Sequence, residues 1–120
     1  MARTIEQEFV ERHPGSRARY ERAVHAIPSG ITHDVRYARP FPVYIERASG
    51  STKIDVDGNT LIDYSMGHGA LILGHSHPAV IEAIRAQALR VSYAHTSFFS
   101  SEPAEALAER LVSKAPAPLS

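Results

Sequence analysis

Apolar side chains recur along this chain at two spacings, three to four residues apart toward both ends and two apart in the middle. Ile5, Phe9 and Val10 share one helical face before Pro14-Gly15 interrupts the pattern. A second helix can start after Ser16 and run to about His25, with Tyr20, Ala23, Val24 and Ile27 on its apolar side, until Pro28-Ser29-Gly30 ends it. Gly30, Pro40 and Pro42 make residues 30–42 an extended loop. Three β segments follow, Val43 to Ala48, Thr52 to Val56 and Thr60 to Ser65. Ile54 and Val56 alternate with Asp55 and Asp57, and the Asp57-Gly58 step is a strong hairpin signal. Leu61 and Tyr64 do not alternate cleanly. Met66 to Ser76 is glycine-rich and irregular. Pro78 suits the first turn of a helix that carries Val80, Ile81, Ile84 and Ala88 on one stripe and ends near Arg90. An aromatic and hydroxyl-rich segment, residues 91–100, leads to Ser101-Glu102-Pro103. There a last helix opens with Ala104, Leu107, Ala108, Leu111 and Val112 at regular helical spacing, and Pro116 and Pro118 stop it.

The stripes need surfaces to pack on, and three short strands offer few. With 120 residues the chain fits one small domain, whose buried fraction is limited. Much of the apolar area is therefore expected to face something outside this sequence. Composition narrows the classes further. Hydrophobic residues are 43% and charged ones 22%, as in ordinary globular chains. Thirteen basic and thirteen acidic side chains cancel, which gives no electrostatic case for nucleic acid or an anionic membrane. Five arginines and four glutamates in the first 22 residues read as a solvated face. The absence of cysteine excludes disulfides, thiolate metal sites and thiol nucleophiles. The longest apolar run, Ala70 to Leu73, is far too short to span a membrane, and the polar start resembles no signal or transit peptide, so a cytoplasmic location is the expectation.

Three groups of residues could carry chemistry. Gly67-His68-Gly69 and Gly74 do not make a dinucleotide fingerprint, because Ile72 stands where the third glycine belongs, and no Gly-Lys pair makes a phosphate loop. The cluster is either a tight turn or a place where backbone approaches a ligand. His68, His75 and His77 lie within ten residues; they read as caps or core hydrogen-bonders, or else as zinc ligands. Arg36 could grip a carboxylate with its guanidinium fork or pair internally with Asp34 or Asp63. The two lysines, Lys53 beside strand aspartates and Lys114 at a helix end, do not look like Schiff-base formers, and no G-x-S-x-G serine site occurs.

The run Asp55-Val56-Asp57-Gly58-Asn59-Thr60-Leu61-Ile62-Asp63 resembles the D-x-D-G-N-x-x-[IL]-D segment of class III (fold type I) pyridoxal-phosphate aminotransferases. Leu73-Gly74-His75-Ser76-His77-Pro78 resembles the LGHxHP segment of the same family, and Pro28-Ser29-Gly30 with Val35-Arg36 resembles the opening of its glutamate-1-semialdehyde aminomutase branch. Tyr93 to Phe99 with Glu102-Pro103 is similar to a loop of many ω-amino-acid transaminases. The resemblance covers residues 16 to 115. Gly67-His68 replaces a usual Ser-Trp, as in the D-phenylglycine aminotransferase type, and His33-Asp34 replaces Ser-Pro.

The resemblance implies an α/β fold class, here an α+β fragment. It would hold N-terminal helices, a small antiparallel β-meander and the first helices of a fold type I transferase. Residues 1–65 would be the N-terminal segment and 66–120 the lead into a large cofactor-binding domain. It implies pyridoxal 5'-phosphate in a homodimer acting on amino acids and keto acids. It also implies that Arg36 meets a substrate carboxylate, that His68 and Gly69 shape the side-chain pocket, and that Tyr93, His95 and Phe98 line the neighbouring subunit's site. The phosphate-binding Gly-Ser loop, the pyridine-pairing aspartate and the Schiff-base lysine are expected after residue 120, so the 120 residues alone should be inactive. An aminomutase-type isomerase, a non-catalytic chain that pairs with a full-length relative, and a small histidine metalloprotein are the other readings.

Overall fold

Two helices meet at a single residue. In a computed structural model, which describes residues 2–94 and 97–116, α1 (Ile5–Arg12) opens with a reciprocal cap. Thr4 Oγ1 accepts from Gln7 N–H and Gln7 Oε1 accepts from Thr4 N–H. His13 both closes α1 and precedes α2 (Pro14–Ala23). The expected break at Pro14-Gly15 therefore falls one residue earlier, and α2 begins at Pro14 rather than after Ser16. Proline fits the first helical position because its missing N–H would be unpaired there anyway.

The cap that His13 fails to give α2 comes from more than forty positions along the chain. Asp57 Oδ1 accepts from Gly15 N–H at 2.5 Å, and its Oδ2 accepts from Ser16 N–H at 3.0 Å. A carboxylate at a helix N-terminus satisfies orphan donors and meets the positive end of the helix dipole.

Asp57 belongs to the turn of an antiparallel meander, β1 (Ile45–Ser49), β2 (Thr52–Asp55) and β3 (Thr60–Ile62), in that spatial order. Ala48 pairs with Lys53 and Lys53 with Leu61, and a bulge interrupts β1 between Ile45 and Arg47. The strands are shorter than the sequence suggests. β2 ends at Asp55 because its carboxylate folds over the turn and accepts from the N–H groups of Asp57 and Asn59. β3 ends before Asp63 because that carboxylate accepts from the N–H groups of Ser65 and Met66.

Beyond the meander the chain returns to its edge. His75 and Gly50 exchange both backbone hydrogen bonds, at 2.8 and 3.0 Å. Gly74 lies against Gly50 so closely that a Cβ on Gly74 would sit 2.9 Å from Gly50 Cα. Only glycine fits that approach at its φ of +85°.

Among the described residues Phe41 is the one buried apolar side chain, with the Phe9 ring tilted against it at 5.2 Å between centroids. The other buried side chains are polar: His13, Ser16, Asp55 and Asp63. Contacts divide the chain into two compact units, one up to Pro78 and one from Ala79 onward. The second holds most of α3 (Pro78–Arg90) and α4 (Glu102–Val112), as the periodicity anticipated. Their stripes are uncovered, Ile84 at 59% and Leu111 at 63% exposure. Among the described residues no helix is long and apolar enough to cross a membrane.

Asp57→Ala should lower stability by about 1 to 2 kcal/mol and Asp57→Asn by less, since one amide oxygen still accepts. Urea unfolding followed by circular dichroism measures both; a negligible loss in Asp57→Ala would show that the carboxylate is not acting as a cap.

Candidate functional site

Arg36 sits on a single 3-10 turn, Asp34–Arg36. It lines a cleft of about 460 Å³ walled by Ile27, Ile31, Pro42, Val43 and Ile45. Its guanidinium donates to Thr32 Oγ1. The internal ion pair considered for it does not form. Asp34 Oδ1 instead accepts from Val35 N–H and lies 2.8 Å from His33 Nδ1. Asp63 is taken up elsewhere, and among the described residues no carboxylate pairs with Arg36. A cationic fork in an apolar cleft suits a ligand with a carboxylate on an apolar body.

The glycine-rich segment has a second geometry. Met66, Gly67, His68 and Gly69 all have positive φ, at 46°, 63°, 57° and 85°. Four successive residues in this region make one left-handed turn, closed by Gly69 N–H to Ser65 O and Leu71 N–H to Met66 O, both 3.0 Å. Met66 and His68 carry a Cβ there, a strain of roughly 1 to 2 kcal/mol each. His68 and Gly69 are exposed on this turn and do not line the Arg36 cleft.

Asp63 anchors the turn. Its Oδ1 accepts from Ser65 and Met66 N–H, while Oδ2 accepts from Lys53 Nζ at 2.8 Å and His75 Nε2 at 2.7 Å. The Lys53 bond first, then the His75 bond and the Met66 N–H, hold this carboxyl well below its ordinary value of 3.8. Asp55 is wholly buried. Burial pushes its carboxyl up, but the Asn59 side chain, the N–H groups of Asn59 and Asp57, and nearby His13 outweigh that and leave it lowered. Neither aspartate is a site residue in the sequence analysis, although the spaced Asp55, Asp57, Asn59 and Asp63 are a visible signal.

His75 is committed to Asp63, and His77 Nδ1 is buried without a hydrogen-bond partner. Among the described residues no three metal-binding side chains converge, so the zinc reading of His68, His75 and His77 has no geometry behind it. Tyr93 and Phe98, in the connection between α3 and α4, are 77% and 78% exposed; His95 lies outside the described residues. Lys53 is ion-paired, and Lys114 is exposed just beyond α4. Neither sits in an enclosed pocket with its amine unpaired, so these residues do not fit a covalently held pyridoxal phosphate.

Residues 34–119 match the family model described as aminotransferase class-III. The chain belongs to this family. Among curated relatives, a glutamate-1-semialdehyde 2,1-aminomutase from Chloroflexus aurantiacus is 44% identical over 105 residues, covering 85% of this chain and 23% of that protein. An omega-transaminase structure from Sphaerobacter thermophilus superposes with a TM-score of 0.76 at 34% identity, covering 89% of this chain and 24% of that one. A transaminase structure with pyridoxal phosphate bound gives a TM-score of 0.72 at 35% identity, covering 83% and 23%. The chain thus spans about a fifth of the length of the curated relatives it matches. The class III motifs noted in the sequence are borne out, and so is the α+β arrangement of helices and meander as part of a fold type I transferase.

A carboxylate whose folded pKa is lowered adds stability above its unfolded value and loses it as pH falls through that value toward the folded one. The stability gap between the wild type and Asp63→Asn should therefore be full near neutral pH and shrink below about pH 4. Denaturant unfolding at stepped pH measures it; a gap unchanged down to about pH 2.5 would contradict the assigned bonds.

Proposed function

We propose that this chain is part of a pyridoxal-phosphate-dependent aminotransferase that moves an amino group between an amino acid and a keto acid. In this reading it supplies substrate-binding surface. The observation that carries the reading is Arg36, a cation in an apolar cleft with no carboxylate partner among the described residues.

In the complete enzyme the cofactor would act as the electron sink for breaking bonds at the amino-bearing carbon. Arg36 would hold the substrate carboxylate in a two-pronged hydrogen bond and fix its orientation. The exposed turn at His68 and Gly69 would border the substrate's side chain. Tyr93, His95 and Phe98 would complete the site of a second subunit in a cytoplasmic homodimer. The Schiff-base lysine would be neither Lys53 nor Lys114, and the 120 residues alone would not transaminate.

The curated relatives support a second reading, an aminomutase that isomerises glutamate-1-semialdehyde. The two differ in stoichiometry, because an isomerisation needs no keto-acid acceptor.

The test uses the longest polypeptide the gene encodes, loaded with pyridoxal phosphate. Arg36→Ala should raise KM for the amino acid by about ten- to a hundredfold, with a smaller change in kcat. An unchanged KM would remove Arg36 from the site. Turnover of glutamate-1-semialdehyde without a keto acid would favour the isomerase.

A further inference from the structure

We propose that Asp63 and His75 are positioning residues that set the conformation of the left-handed Met66–Gly69 turn, and through it the fit of the substrate's side chain. The proposal rests on the reading that His68 and Gly69 border the substrate pocket. It concerns how the turn is held rather than what it touches.

A run of left-handed residues that includes Met66 and His68 does not persist through its own hydrogen bonds. Something outside the run must over-determine it, and one carboxylate does so at both ends. Oδ1 of Asp63 takes the N–H groups of Ser65 and Met66 at 2.9 and 3.0 Å, which fixes the entry to the turn. Oδ2 takes Nε2–H of His75 at 2.7 Å, which fixes the exit, five residues past Ala70. A carboxylate only accepts, so His75 Nε2 carries the proton in this contact. The exit is pinned again by the paired backbone bonds between His75 and Gly50. Lys53, projecting from β2, shares Oδ2 at 2.8 Å and ties the assembly to the meander. Asp63 is 8% exposed, so solvent competes little for these bonds. Tyr64 and Ile72, between the two anchors, are 90% and 88% exposed, and Met66 and Leu71 are only half-buried, so apolar packing gives the segment little support. The polar anchors are therefore the main restraint on the shape of the turn.

The experiment compares His75→Leu, His75→Gln and His68→Ala in the cofactor-loaded polypeptide the gene encodes in full. Two readouts are used: amide hydrogen exchange by mass spectrometry, and KM against kcat for a small and a bulky amino donor. Glutamine places an N–H donor near the position of Nε2, and leucine removes it. His75→Leu should speed exchange in peptides covering residues 65–71 by roughly tenfold or more, with the β2 peptides little changed. It should also alter the ratio of KM values for the two donors while kcat moves less, and His75→Gln should restore most of both effects. Equal acceleration in the turn and in β2, with an unchanged KM ratio, would show a merely structural role and overturn the proposal. So would failure of glutamine to rescue a folded protein. His68→Ala separates the two ideas. If it leaves the KM ratio unchanged, the turn does not border the pocket and the functional reading fails. If it changes the ratio while His75→Leu does not, the positioning proposal alone fails.

Discussion

The fully buried carboxylate of Asp55 is the constraint around which the first unit is built. An ionised carboxylate without water is costly unless several donors surround it. Here they are Asp57 N–H, Asn59 N–H and the Asn59 side-chain amide, with His13 Nε2 at 3.4 Å. Meeting that requirement shapes the β2–β3 turn and brings the joint between α1 and α2 against it. Asn59 then reaches the Arg12 carbonyl at the end of α1, while Asp57 caps α2. Ser16, also fully buried, accepts from Tyr44 N–H and carries the connection to the approach to β1. Two helices and a sheet are thus joined by a handful of polar side chains within a few turns of one another.

Such a polar interior accounts for a unit in which Phe41 is the single buried apolar side chain among the described residues. The large apolar side chains are instead displayed. In the second unit the stripes of α3 and α4 remain open, and helices of 13 and 11 residues gain little from their own hydrogen bonds alone. A segment that spans about a fifth of its relatives' length has that much less surface of its own with which to cover such stripes.

Local patterns were readable from the chain, and long-range polar contacts were not. The Asp57-Gly58 hairpin and the stripes of Val80, Ile81, Ile84 and of Leu107, Leu111 are written in spacing, and the structure has them. The start of α2 at Pro14 does not show in the local pattern because its cap is Asp57, far away in sequence. β3 ends earlier than its pattern predicts because propensity alone does not show that Asp63 turns back on Ser65 and Met66. The site divided in the same way. Arg36 stood out by its uncharged surroundings, but Asp63, weighed as its partner, proved to be bound to Lys53 and His75. The weight of the aspartates follows from burial, which no single sequence displays.

The bridge between Gly50 and His75 closes a ring of chain that contains both the hairpin and the glycine-rich turn. Closing the ring removes loop entropy from everything inside it, so global unfolding releases turn and hairpin together, although the turn can still open locally by itself. In global unfolding the turn is therefore thermodynamically linked to the meander. A molecule that binds the ordered turn and not the unfolded chain draws the whole ring toward its folded state by mass action. Occupancy at an exposed, strained turn would be registered as resistance to unfolding in strands that never touch the ligand.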